Sequence, residues 1–240
     1  MIETISTSDP MRVARGVMRA MKLLGHVGSP FAAGHETSGN ALTWTLLLLS
    51  QHPQVASDLV DELEGELRGE PPTVEQLGRL PLLENVLKES MRIIPPAPVT
   101  WRRAAHSIEV GGYEIPEGTE VYASIYETHH MPELYPEPER FDPGRWETTD
   151  PGTYEYIPFN AGPRRYIGAS FAMMEIKVVL AVLLQRYRLE SLPQKVDRFG
   201  FPVISPKGGL QMVVHRQDRR FGRGVGGIRG NVREMVKLPA

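Results

Sequence analysis

The sequence predicts an α+β fold that is mainly α, and three observations carry that expectation. Several long stretches repeat apolar residues at helical spacing. A Gly111-Gly112 pair separates two short strand-like runs, which is a hairpin signal. Prolines fall where helices start or stop, at Pro30, Pro53 and Pro95-Pro96.

Taken in order, residues 1–28 are weakly patterned. Arg12 to Leu24 has helical composition, but Gly25, Gly28 and Pro30 are expected to interrupt it. Ser29-Pro30 reads as an N-cap followed by a proline in the first turn, opening a helix to about Ser50. Gln54 to Arg68 is an amphipathic helix with Val55, Leu59, Leu63 and Leu67 on one stripe. Thr73 to Leu77 suits a helical turn, and Leu82 to Ile94 another helix, closed by Pro95-Pro96. Ile108–Val110 and Tyr113–Ile115 are the hairpin arms, and 120–126 alternates like a third strand. From Met131 to Gly152 prolines and glycines make a long ordered loop. Ala169 to Arg188 is a strong helix, and Leu210 to Val214 a last strand. The Arg- and Gly-rich tail 216–240 is expected to be disordered. The expected organisation is therefore an unmatched segment 1–29, a folded region 30–215 and the tail.

Composition narrows the function. A net charge of −2 over 240 residues argues against a general nucleic-acid binder. No cysteine is present, so disulfides and thiolate metal sites are excluded. The most apolar run, Ala41 to Leu49, is too short to span a bilayer, and the N-terminus has no apolar signal core. The expectation is a soluble, cytoplasmic protein with no nucleic-acid or membrane partner.

Four groups of residues bear on chemistry. Ala33-Gly34-His35-Glu36-Thr37 places an acid and an alcohol beside a glycine that admits a flat ligand to the helix backbone. Glu89 and Arg92, three apart, share a helix face and can pair. Pro138-Glu139-Arg140-Phe141 follows downstream, with Arg140 a candidate third member of that charge network. Arg102-Arg103 follows Val99-Thr100-Trp101. Finally, Phe159-Asn160-Ala161-Gly162-Pro163-Arg164-Arg165-Tyr166-Ile167-Gly168 precedes the strong helix. The seven histidines lack metal-site spacing, and neither His129 nor His130 is assigned as a metal ligand.

In this order, over roughly residues 30–215, the motifs resemble the heme-thiolate monooxygenases, the cytochromes P-450. The family's ligand loop reads Phe-x-x-Gly-x-Arg-x-Cys-x-Gly, and its cysteine sulfur binds iron. Here Phe159, Gly162, Arg164 and Gly168 match, and Tyr166 stands where the cysteine belongs. The resemblance implies the C-terminal portion of that fold, with small antiparallel β elements. It implies heme as cofactor, a small organic substrate and a ferredoxin or flavoprotein electron donor. It gives Gly34, Glu36 and Thr37 a place over the heme, the last two as proton relay, and makes Arg102 and Arg164 propionate partners. Glu89, Arg92 and Arg140 become a structural triad. The chain then lacks the family's N-terminal half, to be supplied by another polypeptide if at all, and the segment before Pro30 ought to continue the central helix.

Tyr166 leaves three readings open. The chain is a heme monooxygenase by family that is inactive as a truncated chain without cysteine. Alternatively Tyr166 ligates iron as a phenolate, with peroxide-type chemistry. Or the scaffold serves as a non-catalytic interaction protein without heme.

Overall fold

The computed structural model describes residues 10–240. It divides into two compact units, one ending at Glu36 and the other Thr37–Ala240. Helix α1, Pro10–Gln51, carries the boundary within it. The expected interruption at Gly25, Gly28 and Pro30 is therefore corrected: the backbone is helical throughout. Proline in a helix interior removes one donor and crowds the preceding turn, a local cost of about 3 kcal/mol. Helix-forming residues on both sides, Met18 to Lys22 before and Ala32-Ala33 after, favour propagation across it.

In the second unit, α2 (Pro53–Leu67) begins on a proline and ends where Arg68 turns left-handed, at φ 53°. A short helix α3 (Val74–Leu77) is held by a capping box: Thr73 accepts from the Gln76 amide, and the Gln76 side chain accepts from the Thr73 amide. Helix α4 (Pro81–Ile93) follows. Strand β1 (Val99–Arg103) pairs antiparallel with β4 (Glu120–Ser124), and between them lies the hairpin β2 (Ile108–Val110) and β3 (Tyr113–Ile115). Its turn residues Gly111 and Gly112 have φ of 59° and 83°, the mirror-image turn that suits the strand twist. The run expected as a strand over 120–126 stops at Ser124, whose hydroxyl accepts from the Glu127 amide and caps α5 (Ile125–His129).

Helix α6 (Ala169–Arg186) runs directly into β5 (Tyr187–Ser191). Then come β6 (Gln194–Lys195), β7 (Arg198–Phe199), β8 (Ser205–Pro206), β9 (Met212–Arg216) and β10 (Ile228–Arg229). Among the described residues the five sheets are all two-stranded, and only β6 with β10 is parallel. The core is helical in origin: Trp44, Leu47 and Leu48 from α1, Leu59 and Leu63 from α2, Leu83 and Leu87 from α4, and Ile176 and Leu180 from α6 are all buried.

The tail is the second correction. Residues 216–240 are ordered, and Ile228, Val232, Met235, Val236 and Leu238 join the core. The Gln51 side chain reads the tail backbone twice: its Oε1 accepts from Gly226 N at 2.8 Å and its Nε2 donates to Gly224 O at 2.9 Å. Composition misleads here because its glycines serve close packing. Gly230 has φ of 100°, and a Cβ there would fall 2.4 Å from the Val196 carbonyl oxygen. Five apolar side chains among the arginines are enough to seat the segment.

Candidate functional site

The best-organised polar site lies at the end of α4. Glu89 and Arg92 are one turn apart and wholly buried. Arg92 Nε donates to Glu89 Oε2 at 2.9 Å and its Nη2 to Oε1 at 2.9 Å, a bidentate pair. The remaining Arg92 donors go to backbone: Nη1 to His129 O at 2.8 Å, and Nη2 to Pro138 O at 2.8 Å. The Tyr135 ring faces the guanidinium carbon at 5.2 Å. Glu89 accepts three further bonds, from Asp142 N (3.1 Å), Arg145 Nε (3.3 Å) and Trp146 Nε1 (3.0 Å). A buried carboxylate needs such satisfaction, because desolvation otherwise favours its neutral form.

Arg140 is not the third charge of this network. Its guanidinium is exposed and pairs with Glu137 on the surface at 3.1 Å, and only its backbone carbonyl reaches Arg92, at 3.4 Å. Arg145 takes that place, its side chain only 8% exposed. The Pro-x-Arg-aromatic pattern occurs twice, as Pro138-Glu139-Arg140-Phe141 and Pro143-Gly144-Arg145-Trp146. The 3-10 turn Pro143–Glu147 turns the second copy towards Glu89, and spacing alone does not separate them.

The loop before α6 is closed by its own backbone. Tyr166 N donates to Phe159 O at 2.8 Å, Arg165 N to Gly162 O at 3.1 Å and Ala169 N to Tyr166 O at 3.2 Å. Asn160 and Gly162 are left-handed, with φ of 60° and 59°. At Gly162 any side chain is strained, and a Cβ there would also lie 3.1 Å from the Tyr154 hydroxyl. Gly168 has an ordinary φ but no room: a Cβ there would fall 2.7 Å from Tyr166 Cε1 and 2.9 Å from Cζ. The Tyr166 ring therefore lies on the Gly168 backbone, half-buried. Phe159 packs against the core, and Arg164 and Arg165 are exposed. A cleft of about 540 Å³ opens beside the loop, lined by Lys88, Met91, Tyr156, Phe159, Arg165 and Met173 among others.

The bonds of Arg102 and Arg103 fall outside these two clusters. Arg102 is exposed on β1 and donates to its own strand, to Thr100 Oγ1 at 3.0 Å and Trp101 O at 2.7 Å. Arg103 pairs across the sheet with Glu120. Half-buried Gly34 and exposed Glu36 sit on α1 at the end of the first unit, and half-buried Thr37 begins the second. Among the described residues no group of three His, Cys, Asp or Glu could hold a metal ion. None of the described helices is long and apolar enough to cross a membrane.

Comparison with known proteins gives this arrangement its family. The Cytochrome P-450 family model matches residues 12–212, starting inside the segment expected to be unmatched. Cytochrome P-450 4c3 of Drosophila melanogaster is 33% identical over 193 residues, covering 77% of this chain and 36% of that protein. Cytochrome P-450 4V2 of Mus musculus is 36% identical over 193 residues, with coverage of 77% and 36%. The chloroplastic carotene epsilon-monooxygenase of Arabidopsis thaliana is 33% identical over 231 residues, covering 90% of this chain and 42% of that protein. A solved structure of a retinoic acid-bound cyanobacterial cytochrome P-450 superposes with a TM-score of 0.69 at 33% identity, over 77% of this chain and 43% of the other. The chain belongs to the cytochrome P-450 family. It spans about two fifths of the length of these relatives.

The family implies heme, and the ligand position decides whether these residues fit it. No thiol exists anywhere in the chain. The group at the cysteine position is a phenol whose ring occupies the space over Gly168. Iron could reach that oxygen only if the ring first left Gly168. The residues present do not fit a thiolate-ligated heme.

Proposed function

We propose that this chain is a cytochrome P-450 scaffold whose ligand loop is folded without its metal donor, and that it does not itself perform monooxygenation. The family activity, heme-dependent oxygenation of a small organic substrate with electrons from a ferredoxin or flavoprotein, belongs to relatives that carry the thiolate. The observation that carries this reading is the Tyr166 ring packed on Gly168 in a loop whose backbone is otherwise closed. The thiolate is what drives oxygen–oxygen cleavage in this family, and a phenol is a different donor. The satisfied Glu89 network supports a folded, scaffold-type role. Glu36 and Thr37 as proton relay, and Arg102 and Arg164 as propionate partners, remain roles implied by resemblance. The competing assignment, iron held by Tyr166, requires the ring to swing off Gly168.

Heme titration of the purified chain, followed through the Soret band, tests the proposal. Weak, non-saturating binding is expected. A stoichiometric complex with a sharp, shifted band would overturn it, and loss of that band in Tyr166→Phe would identify the phenolate as the ligand.

A further inference from the structure

We infer that His129 is a positioning residue for the ligand loop: as a neutral imidazole protonated on Nδ1, it fastens the chain entering that loop to the buried Arg92. His129 ends α5 and has no exposed surface. Its carbonyl accepts from Arg92 Nη1 at 2.8 Å, and its ring Nε2 lies 2.9 Å from the backbone N of Ile157. A backbone N–H can only donate, so Nε2 must carry a free lone pair and the ring proton must sit on Nδ1. Nδ1 is itself buried without a well-formed hydrogen bond.

The connection continues into the loop. Ile157 O accepts from Asn160 N at 3.0 Å, and Phe159 O closes the loop on Tyr166 N. Glu89, Arg92, His129, Ile157 and Asn160 thus form one hydrogen-bonded path from the helix frame to the left-handed turn of the loop. Tyr156 stacks on the imidazole at 5.3 Å with 24° between planes, and Tyr135 meets its edge at 6.3 Å. These rings fix its plane so that Nε2 faces Ile157.

Protonating His129 would put a second donor against the Ile157 amide. The ionisable groups facing it are Arg92 from α4, His130 beside it, and the phenols of Tyr135 and Tyr156. Burial first, and Arg92 second, hold its pKa down to about 3. Burial also keeps both phenols protonated, Tyr135 being raised to about 12 and Tyr156 well above its ordinary value. An unfolded histidine titrates near 6.5. Between about pH 6.5 and 3 the unfolded chain therefore binds a proton that the folded chain refuses. Stability from this group is level above pH 6.5 and falls as pH drops through that window.

This inference rests on the P-450 reading only for what the loop is. The test uses the full chain without added heme, comparing the parent with His129→Gln and His129→Phe. Gln keeps an acceptor at similar reach, and Phe keeps the ring without one. Amide exchange is measured at Ile157 and Asn160, and unfolding is followed from pH 7.5 to 4. Exchange at both amides should quicken about tenfold or more in the Phe variant and stay near the parent in the Gln variant. Both variants should lose one proton from the uptake on unfolding, a change of about tenfold in the unfolding equilibrium per pH unit. His52 and His130, also lowered by burial, contribute equally to all three proteins and cancel in the difference. Parent-like exchange in the Phe variant, or a parent-like pH slope in the Gln variant, overturns the inference. If the Phe variant does not fold, the Gln variant decides alone: it must keep Ile157 protected and lose the slope. A tight heme complex in the parent would overturn the proposed function and leave the exchange result standing.

Discussion

The segment 136–147 and the loop 159–168 both carry arginine and glycine, and they are organised by opposite means. In the first, side chains do the organising. Glu89 collects five donors, two from Arg92 and one each from Asp142, Arg145 and Trp146, without exposure to water. In the second, backbone does it. Two left-handed residues and three short turns set the path, while Arg164, Arg165 and Ile167 face solvent. A side-chain network fails when one member is removed, because the buried partner is left uncompensated. A backbone-set loop tolerates exchange of the residue it displays. This is how a family's frame can persist in a chain whose ligand position holds Tyr166.

The largest test of that contrast is Glu89→Ala. It strands the Arg92 guanidinium and the Trp146 indole in a dry site and should destabilise the fold by about 3–5 kcal/mol. Denaturant unfolding measures it, and a midpoint equal to the parent's would mean that the buried network holds nothing. Next comes Arg145→Ala, which removes one donor from Glu89 and an ion partner from a nearly closed site, at a cost of about 1–3 kcal/mol. Arg140→Ala is its control. Its pair with Glu137 is exposed, so a change within about 0.5 kcal/mol is expected. If Arg140→Ala proved the more damaging, the assignment of the third charge to Arg145 would be reversed.

That pair of arginines also shows what the sequence could and could not convey. Helices α2, α4 and α6 and the Gly111-Gly112 hairpin are written in local signals, apolar period and turn chemistry, and local signals survive reading in one dimension. The choice between Arg140 and Arg145 is not local. Both sit in the same four-residue pattern, and only the turn at 143–147 buries one of them. The tail fails for the same reason. Its glycines suggest freedom by composition, yet Gly230 is small because Val196 approaches it. Pro30 errs in the other direction: a breaker is a cost of known size, and a long helix can carry it. Phe159, Gly162 and Gly168 were legible as a motif, but the reason for Gly168 in this chain was not. That glycine makes room for the Tyr166 ring, which no spacing rule reports.

A small effect is also expected at Tyr166 itself. The ring is half-buried and rests on Gly168, so Tyr166→Cys removes some packing and leaves every loop backbone bond in place. The stability change should stay within about 1 kcal/mol, well below that of Glu89→Ala. The same substitution returns a sulfur to a loop that otherwise matches the family. With heme added, then dithionite and carbon monoxide, the Cys variant should therefore give the thiolate-type spectrum, and the parent should not. The two measurements separate frame from donor. If the Cys variant is as destabilised as Glu89→Ala, Tyr166 is part of the frame and the contrast between the two segments collapses. If it folds like the parent and still gives no thiolate spectrum, the loop holds its path but does not present position 166 to a heme, and restoring the donor atom is not enough.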